Sequence, residues 1–440
     1  MPRERINHIL FSNRFYRRVI RPFDRILYPI VDIGELRAER SGNPVPLNKI
    51  PQTADLENPE WRSVLDDMAP IFTMDRDSFH RKHWEFVQLV YMLARDRRLH
   101  PDAHGLAVGA GREPVVYYLT HKVREVTGID LYAGTFLGGE DEPDIPDHPA
   151  KYAPFVCPPG SPDLKRMDAR NLDFRDNDFD FVFSASSIEH FGDTREIRRS
   201  LSEMFRVLKP GGATAITTEI KLNRLGRSIP NTRIFRLRDL LAMCRECGFQ
   251  VDTDGLDLRL EAPFHRDPVK LPEQVLRRPH VILRYFSTWF TSVSLLLRKP
   301  GNQAVRGDWQ PSKSVTPLDY SARITSRTNR AQVRRGGLLK LNMEMENLGN
   351  FDWFTGGGSH RIAVGVQLRD QNDGLIDRDF HQFTIPRDLG RGDSLTFQGD
   401  VPVVLAPGKY RLWVTLKREF ITWFPEDTCP PAIVDFQVYP

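Results

Sequence analysis

The chain has 440 residues, long for one domain and comfortable for two. A hydrophobic content of 40% and a charged content of 27% describe an ordinary globular protein and exclude a fibrous or low-complexity one. The net charge of +4, from 62 Lys and Arg against 58 Asp and Glu, is too mild to signal nucleic acid by itself. No apolar run reaches the roughly 20 residues that span a bilayer, and Met1-Pro2-Arg3-Glu4-Arg5 does not read as the start of a signal peptide. Four cysteines, Cys157, Cys244, Cys247 and Cys429, are too few for a disulfide framework in a chain of this length. They predict a reducing, cytoplasmic setting, with Cys244 and Cys247 as buried small residues and no structural zinc or other metal.

Residues 1–76 read as an N-terminal extension. Its first part interleaves Arg14, Arg17, Arg18, Arg21 and Arg25 with Phe15, Val19, Ile20, Ile26 and Leu27, and Pro22 interrupts it. A basic amphipathic helix of this kind either lies at an anionic inner membrane face or packs on its own protein. Residues 40–60 read as loop, and Phe79 to Leu93 as a helix feeding a first strand. Gly105-Leu106-Ala107-Val108 is that strand; it runs into a turn with Gly109, Ala110 and Gly111, and Pro114 opens the next helix.

A strand, a glycine turn and a helix N-terminus let backbone approach a ligand closely. The ligand is open at this point: dinucleotides, nucleotide phosphates and S-adenosylmethionine (SAM) all use such turns. Pro114 stands where a dinucleotide fingerprint needs its third glycine, and no Gly-Lys-Ser/Thr follows for a P-loop. Val126 to Leu131 is a second strand. Asp130 near its end lies about 20 residues from the glycines, where a carboxylate meets a ribose diol. Met167-Asp168-Ala169-Arg170-Asn171-Leu172 precedes a buried parallel strand, Phe179 to Ser186. Ile188-Glu189-His190-Phe191, a helix, a Lys209-Pro210-Gly211-Gly212 turn and the strand Ala213 to Glu219 follow.

Taken in order, VGAGREP, GIDL, MDARNLDF, FDFVFSASSIEHFG and RVLKPGGATAITTE resemble class I SAM-dependent methyltransferases of the type 11 kind, over residues 77–299. The resemblance implies a Rossmann-like α/β domain with a seven-stranded sheet and SAM as cofactor. It implies Gly109, Ala110 and Gly111 under the amino-acid moiety, Asp130 and Leu131 at the ribose, Asp168 and Ala169 at the adenine, and Ser184 and Ser186 at the end of the fourth strand, facing the methyl donor. The strand segments Phe249–Asp252 and Thr291–Leu297 would be its closing pair. Glu189 and His190 follow the fourth strand, where the methyl should emerge, and are the candidates for removing an acceptor proton. Glu219 and His265 are weaker ones, with a strand-end cap and a surface histidine as their plainer readings.

Residues 134–163 lack periodicity and read as a lid, a substrate loop or an irregular embellishment. Residues 263–286 form an insertion near the expected acceptor side. After a linker at 300–320, residues 321–440 turn to short alternating strands: Leu339–Glu346, Arg361–Leu368, Ser394–Phe397, Tyr410–Leu416 and Ala432–Val438. This spacing predicts an all-β sandwich. Asn347-x-Gly349-x-x-x-Trp353, Pro407-Gly408-x-Tyr410 and Ile421-Thr422-Trp423-Phe424 resemble immunoglobulin-like accessory domains of bacterial surface-polysaccharide enzymes. That resemblance implies carbohydrate binding, with Trp353 and Trp423 as stacking candidates and Trp413 in the core. The expected function is SAM-dependent methylation of an oxygen on a sugar, in a cell-surface glycan or its lipid-linked precursor. The alternative is a non-catalytic SAM-fold scaffold of polysaccharide assembly. No nucleic-acid partner is expected.

Overall fold

A computed structural model describes residues 45–132, 144–223, 229, 232–252, 255–260, 269–271, 280–301, 315–356, 360–419 and 421–440. The basic segment of residues 1–44 and His265 lie outside the described residues. The chain forms two compact units, residues 1–131 with 160–314, and residues 132–159 with 315–440.

In the first unit, α1 (Pro59–Asp67) and α2 (Arg81–Arg95) precede β1 (His104–Val108), α3 (Pro114–Leu119), β2 (Glu125–Asp130), β3 (Asp163–Arg166) and β4 (Phe179–Ala185). Then follow α4 (Thr194–Val207), β5 (Leu208–Lys221), α5 (Leu237–Glu246), β6 (Gln250–Val251), β7 (Val269–Lys270), β8 (Leu283–Tyr285) and β9 (Thr288–Arg298). The strands join in the order β3-β2-β1-β4-β5-β9-β8-β7, with β6 beside β9. The run from β3 to β5 is parallel and β9 is antiparallel to β5. This is the Rossmann-like methyltransferase topology. The chain leaves β1 on one side through β2 and β3 and returns on the other through β4. The tips of β1 and β4 therefore flank the crevice in which open α/β sheets hold ligands.

Local chemistry accounts for these elements. β4 is buried along its whole length, as a central parallel strand should be. Asp193 caps α4 by accepting from the backbones of Arg195 and Glu196, and Glu196 returns a bond to Asp193 N. Ile197, Leu201, Met204 and Val207 on one face of α4 enter the same core as Val182, Leu240 and Leu295. Cys244 is in that core too. α5 stops where Gly248 takes φ +98.

Two features of this sheet differ from expectation. Among the described residues it has nine strands rather than seven, because the insertion before β9 supplies β7 and β8. Pro210-Gly211-Gly212 is not a turn before β5 but part of it. The strand begins at Leu208 and absorbs the glycines at an irregularity opposite Phe179 and Phe181.

The second unit contains β10 (Ala322–Ser326), β11 (Arg330–Arg334), β12 (Leu338–Asn347), β13 (Ile362–Arg369), β14 (Leu375–Thr384), β15 (Ser394–Pro402), β16 (Gly408–Arg418), β17 (Thr422–Trp423) and β18 (Ala432–Tyr439). One sheet runs β10-β12-β15 and the other β11-β18-β16-β13-β14, with β17 on β16. Leu341, Met343 and Val401 of the first meet Val364, Leu412 and Val434 of the second in a shared core, so the unit is a β-sandwich.

Residues 144–159 belong to this unit. Phe155 bridges to Pro317, Val156 N donates to Thr316 O at 3.0 Å, and Arg418 donates to the carbonyls of Lys151 (2.6 Å) and Ala153 (3.1 Å). Residues 144–159 of the 134–163 segment are thus a packed piece of the sandwich unit rather than a loop of the first, while residues 160–163 return to the first unit and lead into β3. The tryptophans also rearrange. Trp353 is fully buried against Phe424. Trp413 is not core: it is half-buried on the outer face, under the Arg369 guanidinium at 3.6 Å, and donates to Asp373.

Candidate functional site

The glycine turn is built by close approach. The backbone N–H groups of Gly109 and Ala110 both donate to Ile129 O at 2.9 Å, which ties the turn to β2. Gly109 has φ +71, and a Cβ there would lie 2.4 Å from Ser187 Cβ. Ser187, just past β4, donates to Gly109 O at 2.9 Å. Gly109 is therefore demanded by packing between the tips of β1 and β4. Gly111 differs: at φ +46 its nearest neighbour would be Asp130 Oδ2 at 3.8 Å, so it leaves open space. Gly111 N donates to that same oxygen at 3.0 Å. The turn and Asp130 thus face one place, and Leu131 beside it is 53% exposed, an apolar surface ready to be covered.

Asp168 lies beyond β3 and is engaged on both oxygens. Arg170 Nε and Nη2 bond it at 2.7–3.0 Å and Arg170 N at 2.8 Å, and these bonds hold its carboxyl below the usual range. Arg170 in turn bonds Glu196 of α4. Ala169 is buried beside it. A carboxylate has about four acceptor sites, so Asp168 keeps acceptor capacity for an amino group while Arg170 fixes its rotamer.

The side of the crevice next to α2 is more heavily charged than the sequence suggested. α2 delivers Arg81, Lys82 and Glu85 to the ends of β4, β5 and β9. Glu85, fully buried, binds Arg81 at 2.8 Å and accepts hydrogen bonds from the hydroxyls of Ser186 and Ser292. Arg81 also reaches Glu219 at 2.9 Å. Lys82 reaches Glu113, within the glycine turn, at 3.3 Å. Burial opposes the charge of Lys82, but Glu113 and Glu85 outweigh it and raise its pKa. Burial raises that of Glu113.

Glu189 and Glu219 form a carboxyl pair in this network. Burial, reinforced by Glu219, pushes Glu189 well above the ordinary value. Glu219 falls to about 2, because the hydrogen bond from Glu189 and the charge of Arg81 overcome its own burial. Burial and their mutual charge thus favour the neutral form of Glu189 and the ionised form of Glu219. Glu189 also accepts from Thr218 Oγ1 at 2.7 Å. Enclosed at 1% exposure, with its neutral form favoured, it is ill placed as an acceptor-facing base, contrary to expectation. Ser184 likewise lies inside the sheet at 1% exposure, and its Oγ has no partner among the described residues. It is Ser187 that reaches the glycine turn. His190 remains half-buried at the tip of β4, with Nδ1 3.5 Å from Thr232 Oγ1.

Residues 106–216, from β1 into β5, match the methyltransferase domain family. The chain contains a SAM-dependent methyltransferase domain. Solved structures similar to this methyltransferase include a putative methyltransferase from Bacillus halodurans C-125, at 17% identity, covering 49% of this chain and 98% of that one with a TM-score of 0.33. The [4+2]-cyclase SpnF is similar at 20% identity over 60% and 100%, with a TM-score of 0.34. The 1,6-didemethyltoxoflavin-N1-methyltransferase of Burkholderia thailandensis, bound to 1,6-didemethyltoxoflavin and S-adenosylhomocysteine, is similar at 16% over 50% and 78%, with a TM-score of 0.33. No curated protein matches the sequence. Among the described residues, no cluster suits a metal ion and no helix is long and apolar enough to cross a membrane.

Proposed function

We propose that this methyltransferase methylates a sugar hydroxyl, in a cell-surface glycan or its lipid-linked precursor. The observation that carries the sugar reading is the attached β-sandwich unit, whose larger sheet turns Gln332, Gln437, Arg330 and Lys409 outward. Cations and amides on such a face suit polar ligands rather than apolar ones. Residue assignments follow the family resemblance, supported by the turn and Asp130 facing one place. Gly111, Asp130 and Leu131 hold the aminoacyl and ribose portions of SAM, with Gly109 and Ala110 shaping the turn, and Asp168 and Ala169 meet the adenine. Bound SAM supplies an electrophilic methyl on a sulfonium.

His190 would accept the hydroxyl proton as the acceptor oxygen gained the methyl and the methyl–sulfur bond broke, its electron pair remaining on sulfur. Glu189 does not take it; it holds Glu219, and through Glu219 the position of Arg81. Orientation at this site supplies most of the acceleration, since the sulfonium is already activated.

The test is transfer of labelled methyl from SAM to isolated bacterial surface glycans and their lipid-linked precursors. Label should appear in an alkali-stable ether, and His190→Ala should reduce it by about a hundredfold, the usual worth of a general base. Label appearing only in protein or small amines would overturn the sugar reading.

A further inference from the structure

The outer face of the larger sheet in the second unit carries a groove of about 670 Å³. Its floor follows from register. Arg330 of β11 stands opposite Asp435 of β18, and Asp435 opposite Arg411 of β16. One step along, Gln332, Gln437 and Lys409 align in the same way. Phe436 between these rows and Val438 beyond them turn inward to the core, so the polar rows face out together.

One wall is preset. In the turn after β13, Asp370 accepts from the backbones of Asn372 and Gly374 at 2.8 Å, an Asx turn that presents Gln371 to the groove. Asp373 of that turn is gripped by Arg411 at 2.8 Å and by the Trp413 indole N–H at 3.2 Å. Arg411 is spent on Asp373 and on Asp435, which it bonds at 2.7 Å. Arg330 and Lys409 are not: both are exposed, and neither has a carboxylate partner among the described residues.

Two unneutralised cations, flanked by amides that can both donate and accept, suit a ligand with negative charge and many hydroxyls. The volume is that of a small-molecule site. Too few cations face the groove for the long phosphate track of a nucleic acid. We propose that this groove binds an acidic saccharide, a short run of sugars bearing carboxylate or phosphate. This deepens the sugar reading and rests on it for the choice of a saccharide, but it does not depend on methyl transfer, so its test reads binding alone and can fail while label transfer succeeds.

Calorimetry on the full chain at low salt would use trigalacturonate and mannose 6-phosphate as the two acidic probes, with maltotriose and triglutamate as controls. At least one acidic sugar should bind, and which one does identifies the source of the charge. Maltotriose should bind at least about tenfold more weakly, the scale of lost charge-assisted bonds. Arg330→Ala with Lys409→Ala should weaken the acidic sugar by about tenfold or more while the unfolding midpoint stays unchanged, since both side chains are exposed. Gln332→Ala should weaken the sugar but not triglutamate. No binding of either acidic sugar, binding indifferent to the double substitution, or triglutamate binding as tightly would each overturn the assignment, the last in favour of an acidic peptide.

Discussion

At the scale of single residues, the two glycines of the turn do different work. Gly109→Ala would set a methyl 2.4 Å from Ser187 Cβ on a backbone at φ +71. The left-handed conformation alone costs about 1–2 kcal/mol with a side chain, and the clash adds to it, so this substitution should lower the unfolding midpoint clearly. Gly111→Ala meets only an oxygen at 3.8 Å, so the fold should lose little beyond the backbone term. Its methyl would instead enter the space proposed for the cofactor. SAM affinity by calorimetry should fall by about tenfold or more, a steric loss on the scale of 1.4 kcal/mol. If Gly111→Ala unfolds the protein and leaves SAM binding intact, the cradle has been misplaced.

The Glu189–Glu219 pair makes a prediction about pH. Glu189 has a folded pKa above its ordinary 4.5, so between those values the native state holds a proton that the unfolded chain has released. Stability from this group is full below 4.5 and is lost as pH rises through the folded value. Glu219 sits at about 2, so its contribution is present above 4.5 and is lost as pH falls toward 2. Denaturant titrations should therefore show decline on both limbs. Glu189→Gln keeps a donor toward Glu219 and removes the titrating proton, so it should flatten the alkaline limb and leave the acid limb in place. An alkaline limb unchanged in that variant would show that the proton is elsewhere.

Among the elements, α2 is the one on which the site depends. Its N-terminal turn supplies the charges at the strand tips, and that same turn is anchored by Asp55, which accepts from the Trp84 indole at 2.8 Å and pairs with Lys49. Lys49 is fully buried, so Asp55→Ala would strand a charge in the core. That should cost about 3–5 kcal/mol, whereas Lys49→Met with Asp55→Leu should recover most of it. Chemical denaturation of both variants checks the pair. If the double variant is as unstable as the single one, the loss comes from packing and not from charge.

The helix itself was legible from its apolar spacing, but its role was not. Glu85 meets Ser186, Glu219 shares Arg81 with it, and Ser292 closes the set, and no spacing rule links residues that far apart in sequence. The glycine turn and Asp130 were legible because their parts lie within one βαβ unit. Strands β3 and β14 escaped notice for another reason. Both carry polar residues on both faces, with β14 exposed or half-buried throughout, as edge strands commonly do, and hydrophobic alternation is the signal a sequence offers.

At the scale of the whole molecule, the composition shift near residue 320 located the second unit but not its discontinuity. Parallel strands such as β2 and β3 need a crossover of about a dozen residues or more, and here residues 132–159 of that connection belong to the sandwich unit. Phe155 and Tyr152, aromatic residues in a stretch without periodicity, are buried there, at 0% and 3% exposure. A chain ended after Gly301 would keep that stretch and lose Pro317, Thr316 and Arg418, its partners. Such a chain should bind a hydrophobic dye and aggregate, even though its methyltransferase strands are all present. Replacing residues 133–159 in it with a Gly/Ser crossover of about 15 residues, enough for a parallel connection, should abolish dye binding and give a cooperative unfolding transition. A truncated chain that stays monomeric and dye-negative with its native crossover would mean that residues 144–159 hold their structure without the sandwich.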